Sequence, residues 1–131
     1  MRYLLDSMIW LWSIDSVDKI NQAGRDLLEN GQHDIYFSAA TAWELSIKAH
    51  LGKLHLPAPP GQCIPAFIAK QGLLPLPVTN LHAVKVFDLP PHHGDPFDRL
   101  IIAQAITEDL VLMTADRDFR KYPVEIIWCG K

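Results

Sequence analysis

The sequence is short of cysteine, with only Cys63 and Cys129 in 131 residues. Two are too few for a disulfide-stapled scaffold, so a reducing compartment is the expectation. An excess of positive charge is also missing. Twelve Lys and Arg stand against fifteen Asp and Glu, a net charge of −3. That excludes a protein held on nucleic acid by bulk charge, though not an enzyme that engages it transiently through a metal and a few basic side chains. No long hydrophobic run is present. The apolar start, Met1 to Trp12, is interrupted by Asp6 and followed by Asp15, well short of the roughly 18 apolar residues of a membrane helix, and it has no small-residue cleavage site. A cytoplasmic chain, complete from Met1 and free of membranes, is therefore expected. Repeats, low-complexity tracts and interdomain linkers are absent too. What is present is globular composition, 49% hydrophobic and 21% charged, at a length that suits one domain spanning residues 1–131.

Tyr3-Leu4-Leu5 is a short apolar run that stops at Asp6, the pattern of a buried strand ending in a carboxylate. Ser16 is positioned to cap a helix from Val17 to about Asn30, with Gly31 as its stop. Asp34 to Phe37 reads as a second strand, and Ser38 to His50 as a helix. The proline-rich stretch 54–60 predicts a loop, and Cys63 to Gln71 a short helix stopped by Gly72. Pro75 and Pro77 restrict residues 73–78 to an edge strand. Thr79 is placed to cap a helix to about Phe87. Residues 89–95 read as a loop, and Pro96 opens a central apolar helix through Ile106. Leu110 to Thr114 and Val124 to Trp128 are the last strands. Strands alternating with helices, several apolar throughout, predict an α/β fold: a central parallel sheet covered by helices on both faces.

Ligands of such sheets bind beyond the carboxyl ends of the strands, so the positions of the acids matter. Asp6 closes the first strand, Glu44 lies a turn or two into the helix after the second, Asp98 is in the first turn of the Pro96 helix, and Asp116 follows the Leu110–Thr114 strand by two residues. Four acids from four distant segments can converge on one rim of the sheet, where they would raise one another's pKa values. A divalent cation removes that conflict, and oxygen-only ligation selects Mg²⁺ or Mn²⁺ over Zn²⁺. Each acid has a local alternative. Asp6 can end a strand in a turn, Thr41 and Glu44 have the spacing of a capping box, Asp95 can cap the Pro96 helix with Asp98 favoured by its dipole, and Asp116 can cap a short helix leading to Phe119. Four separate caps have no reason to share one edge.

The chain resembles PIN-domain proteins, and more narrowly the VapC-type toxins of bacterial toxin–antitoxin modules. The resemblance rests on Tyr3-Leu-Leu-Asp-Ser7 with Ile9-Trp-Leu-Trp12, on Phe37-Ser-Ala-Ala-Thr-Ala-Trp-Glu-Leu45 with Lys48 and Leu51-Gly-Lys-Leu54, on Leu89-Pro-Pro-His-His93 with Asp95-Pro-Phe-Asp-Arg-Leu-Ile-Ile-Ala-Gln-Ala105, and on Leu112-Met-Thr-Ala-Asp116 with Phe119. These blocks span nearly the whole chain, and the third is the most specific. The resemblance implies a three-layer α/β/α domain and a Mg²⁺- or Mn²⁺-dependent ribonuclease that leaves a 5′-phosphate and a 3′-hydroxyl. It implies a catalytic and metal-holding set of Asp6, Glu44, Asp98 and Asp116, with Asp118 as an accessory acid and Ser7 and Thr114 as hydroxyls that orient a carboxylate or a water. It also implies a homodimer and a cognate VapB-like antitoxin, whose amphipathic helix would dock near Trp10, Trp12 and Trp43 and whose Arg or Lys would pair with the acids. One departure stands at Met8, where relatives commonly carry a polar residue, often His; a thioether donates no hydrogen bond.

Lys48, Lys53 and Arg99 are the basic residues nearest these acids in sequence and are candidates for contacting RNA phosphates. The alternative is a solvated surface for the lysines and an ion pair for Arg99. His92-His93 beside Asp95 invites a zinc site, but further ligands at suitable spacing are missing and adjacent histidines point apart on regular backbone. The four tryptophans read as core or interface rather than as base-stacking platforms. Ser7, Ser38 and Ser46 have no His-base arrangement. The rival readings are a noncatalytic PIN-like interaction module and a small phosphohydrolase. A haloacid-dehalogenase-type enzyme wants a second Asp where Met8 stands, and the phosphoacceptor Asp and later Lys of a receiver domain are not evident.

Overall fold

The computed structural model describes residues 1–131. Five strands form one sheet, all parallel: β1 (Arg2–Leu5), β2 (Asp34–Ser38), β3 (Leu74–Leu76), β4 (Val111–Thr114) and β5 (Ile126–Trp128), in the order β3-β2-β1-β4-β5. The chain leaves β1 toward β2 and β3, then returns across the sheet to β4 and β5. The order therefore reverses between β1 and β4, which is where an open parallel sheet leaves a crevice at its carboxyl end.

Both faces of the sheet are buried, so the central strands are apolar at consecutive positions. In β1, Tyr3 and Leu5 join one core cluster and Leu4 the other; in β4, Val111 and Met113 oppose Leu112 in the same way. Helices α1 (Ser7–Asp15) and α4 (Pro60–Gln71) cover the first face with Ile9, Trp10, Cys63 and Ile64. Helix α6 (Pro96–Glu108) covers the second with Ile101, Ile102, Ala103 and Ala105. Each fully buried Ile stabilises by about 1.5–3 kcal/mol. Helices α2 (Gln22–Glu29), α3 (Ala39–His50) and α5 (Asn80–Lys85) complete the three-layer α/β/α arrangement.

Several segments differ from expectation. Residues 7–15, apolar nearly all round, form a helix that the pattern did not predict; Trp10 Nε1 donates to Gln71 Oε1 (3.0 Å), tying it to α4. Ser16 makes no side-chain cap. Val17–Lys19 is a 3₁₀ turn, and Ile20 is extended and bridges to Gly130. The real cap is Asn21, whose Oδ1 accepts from Gly24 N (2.9 Å). Gly24 is required there by space, since a Cβ would come within 2.7 Å of Ile20 Cγ2. Helix α4 begins at Pro60 rather than Cys63, with Pro60 at its first position, where the missing N–H costs nothing. Gly72 stops it in the left-handed conformation (φ 68°). Thr79 caps α5 in a reciprocal box with His82, and β5 is confined to Ile126–Trp128. No helix is long and apolar enough to cross a membrane.

Candidate active site

Asp6, Glu44, Asp98 and Asp116 line one cavity of about 660 Å³, together with Ser7, Lys48 and Asp118. It sits at the carboxyl ends of β1 and β4, at the reversal point of the strand order. Four different local structures deliver the acids.

Asp6 follows β1 directly and occupies the N-cap position of α1, yet its side chain does no capping. One oxygen, Oδ2, accepts from Thr114 Oγ1 (2.9 Å) at the end of β4. The same Thr114 oxygen accepts from Asp116 N (3.0 Å), so one buried hydroxyl fixes two of the acidic positions. Asp116 Oδ1 caps the 3₁₀ turn Arg117–Lys121 by accepting from Asp118 N (2.9 Å). The capping alternative is thus correct for Asp116 and coexists with its place in the cavity.

For Glu44 the capping alternative is wrong. Helix α3 starts at Ala39 with Ser38 as its cap, so Thr41 and Glu44 lie inside the helix and form no box. Glu44 is buried. Its Oε2 accepts from Lys48 Nζ (2.8 Å), and its Oε1 has no partner. An unpartnered buried carboxylate oxygen is costly unless something outside the chain satisfies it.

Asp98 lies in the first turn of α6, which Asp95 caps through bonds from Phe97 N (2.9 Å) and Asp98 N (3.0 Å), with Pro96 at the first position. Asp95 also lines the cavity, a role its reading as a cap alone did not include. Burial pushes the Asp98 carboxyl up to about 8, assisted by the charges of Asp6, Asp95, Glu44 and Asp116. Burial also pushes Asp6 up to about 6, against the Thr114 hydrogen bond and with help from Asp116 and Glu44. Lys48 is also raised, but in its case by the Glu44 carboxylate that accepts its hydrogen bond, so it holds its charge more firmly. Asp118 is half-buried and held below the usual carboxylate range by Lys121 (3.0 Å).

A hard divalent cation fits these donors. They are all oxygen, they repel one another, and one of them is an orphan. As they stand, no three Asp, Glu, His or Cys side chains are drawn together tightly enough to hold a metal ion by themselves. The site is an open cup, the arrangement that suits an ion retaining part of its water shell. The His92-His93 pair makes no metal site either. Their loop is irregular, and both rings pack against Tyr122 rather than pointing apart (centroids 5.2 and 5.4 Å).

The basic candidates divide. Lys48 lines the cavity; Lys53 is exposed beyond the end of α3 and does not, and neither does Arg99. The Arg99 guanidinium makes no pair with an acid. It donates to Pro90 O (2.8 Å), Val86 O (3.3 Å), Leu89 O (3.4 Å) and Tyr122 Oη (3.1 Å), so it braces the loop ahead of α6. Arg117, which sequence reasoning passed over, is exposed at the cavity rim; its only signal was its place between Asp116 and Asp118. Met8 and Trp12 also line the cavity. Trp10 is fully buried and cannot line a groove, whereas Trp43 is 60% exposed, so a core role holds for the first and not the second.

A PIN-domain family model matches residues 3–125. Ribonuclease VapC16 of Mycobacterium tuberculosis is 34% identical over 67 residues, covering 51% of this chain and 47% of that protein, so the chain spans about half the length of the curated relative it matches. Two solved structures superpose over nearly the full chain. VapBC2 from Rickettsia felis, bound to a DNA fragment from its promoter, gives a TM-score of 0.75 at 18% identity, covering 97% of this chain and 98% of that one. DNA-bound VapBC from Salmonella typhimurium gives 0.72 at 20% identity, with 97% of each chain covered. Likeness at these identities establishes the fold.

Proposed function

Because the chain belongs to the PIN-domain family, we propose that it is a metal-dependent endoribonuclease, the toxin of a toxin–antitoxin pair, hydrolysing RNA phosphodiesters in the acidic cavity. The observation that carries this reading is the meeting of Asp6, Glu44, Asp98 and Asp116 around one cavity with two of their carboxyls pushed well above the usual range. Such shifts in a cleft mark sites built for chemistry rather than for stability.

Asp6, Asp98 and Asp116 are the residues that would hold Mg²⁺ or Mn²⁺, with Glu44 as a further ligand or as a base. When bound, the ion supplies positive charge against phosphate oxygens and acidifies water for in-line attack. The chain's own groups do the rest. Thr114 holds the Asp6 carboxylate in one orientation and keeps the Asp116 backbone in place. Glu44, whose buried Oε1 has no partner within the chain, would serve as that further ligand or base. Lys48 and Arg117 would offset the negative cup for an arriving polyanion, a role that Lys53 and Arg99, which do not line the cavity, would not share. Asp118 and Ser7 border the same space.

The assembly expected around this unit is a homodimer that a cognate VapB-like antitoxin binds. The structural neighbours are VapBC assemblies. Large apolar side chains are exposed at the surface: Trp43 and Ile47 on α3, Leu51 just past its end, and Leu81, Val84 and Phe87 near one another in sequence. The cytoplasm suits two buried cysteines that form no disulfide.

The test is cleavage of structured RNA by the purified chain with Mg²⁺ or Mn²⁺, beside Asp98→Asn. Cleavage lost on chelation and in the variant supports the reading. A chain inert toward RNA under every metal condition leaves the noncatalytic module, and hydrolysis of small phosphomonoesters instead would favour the phosphatase.

A further inference from the structure

The acid with the highest pKa in the cavity is also the one with an external tether. Asp98 Oδ2 lies 3.4 Å from Nε2 of His93, at the end of the loop that precedes α6. Nδ1 of the same ring lies 2.6 Å from Tyr122 Oη. The Tyr122 oxygen is already accepting twice, from Arg99 Nη1 (3.1 Å) and from the backbone N–H of His93 (3.3 Å). A phenol oxygen has two lone pairs and one proton. With both lone pairs engaged, its proton is directed to His93 Nδ1, which must be the bare nitrogen. The imidazole is then the Nε2–H tautomer, and that hydrogen is directed at Asp98.

We infer that His93 is a positioning residue for Asp98: it donates from Nε2 to Oδ2 and sets the direction in which the carboxylate faces the cavity, while Tyr122 fixes the tautomer and Arg99 fixes Tyr122. The inference rests on the nuclease reading for its purpose and on geometry for its existence. It gives work to three residues that the cavity does not contain. Tyr122 is buried and its ring packs against both histidines, so the phenol has no freedom to turn away. Arg99 follows Asp98 in α6 and binds three carbonyls of the loop leading to His93, so the loop and the helix start move as one body. Partners of this kind, one bond behind a metal-facing carboxylate, set its orientation and change metal affinity by about 10–100-fold when removed. Both ring nitrogens of His93 are thereby engaged, one by a phenol and the other by a carboxylate.

The test uses Mn²⁺ alone, without RNA, titrated calorimetrically into the purified chain, and three substitutions. His93→Phe keeps a ring and removes both nitrogens, and should weaken Mn²⁺ binding about tenfold or more. Tyr122→Phe removes only the phenol oxygen and should weaken it in the same direction. His93→Gln, whose amide can donate from near the Nε2 position, should recover most of the loss, which a general packing defect would not. Nitrogen-15 NMR of the metal-free wild-type chain at neutral pH should find the His93 proton on Nε2. His93→Phe binding Mn²⁺ as tightly as a wild type that does bind, or a proton found on Nδ1, overturns this inference alone. A wild type that binds Mn²⁺ no better than Asp98→Asn overturns the nuclease reading and this inference with it.

Discussion

Asp98 concentrates the tension in this molecule into one carboxyl. In an unfolded chain it would titrate near 3.8, whereas in the fold it is pushed up to about 8 by burial and by the acids facing it. The folded form therefore binds a proton that the unfolded form does not, across the window between those two values. Stability falls as pH rises through that window, because the native state must either keep the proton or bear the charge. Asp6 adds a smaller effect of the same sign below about 6. The metal-free protein should lose melting temperature steadily from pH 5 to pH 8 in a calorimetric scan, and Asp98→Asn should remove most of the slope. A flat wild-type profile would show that the carboxyls do not oppose one another. Thr114 tests the same site from the other side. Thr114→Val removes the donor to Asp6 and leaves the Asp116 N–H unpaired, at a cost of about 1–3 kcal/mol by urea unfolding. Residue types and spacing named all four acids. They did not separate a cap from a cavity-lining side chain at Glu44, because that depends on where the helix starts, and it starts at Ala39. Arg117 carried no pattern at all.

Helix α6 shows how one element serves both packing and chemistry. Its inner residues fill the second core cluster, while its first turn carries Asp98 to the cavity. Asp95→Ala removes two capping bonds and should cost about 1 kcal/mol of stability by urea unfolding. Its effect on cleavage should exceed what that lost stability explains, because the turn that loosens is the one holding Asp98. A variant that loses stability but cleaves as before would separate the cap from the site. This helix and the central strands were legible because their signals are local: Asp-Pro at a helix start, continuous apolar runs in buried parallel strands. Helix α1 was not, since a segment with no polar stripe shows no helical period. The 16–21 segment departs from its local pattern because Asn21, which caps α2, also donates to Trp128 O and Gly130 O, and Gly24 packs against Ile20 and Cys129, so residues a hundred positions apart fix it.

At the scale of the whole molecule, the strand order β3-β2-β1-β4-β5 puts Asp6 and Thr114 side by side at the point where the chain reverses direction across the sheet. The sequence foretold alternating strands and helices, and the convergence of acids follows from that topology. It held no equivalent information about the outer surface. Phe87 is 92% exposed, and Leu81 and Val84, close to it in sequence, are exposed as well; the homodimer proposed above would bury such apolar surface. The purified protein should sediment as a dimer and Phe87→Asp as a monomer; a monomeric wild type would remove the homodimer from the account. The account as a whole turns on whether the acidic cup exists to hold a hard dication. The most direct measurement is calorimetric binding of Mn²⁺ at pH 7 in two buffers of different ionisation enthalpy, which counts the protons displaced. Carboxyls strained by one another should release on the order of one proton as the ion enters, and Asp98→Asn should abolish most of that release. Mn²⁺ binding with no proton displaced, or no binding at all, would contradict it.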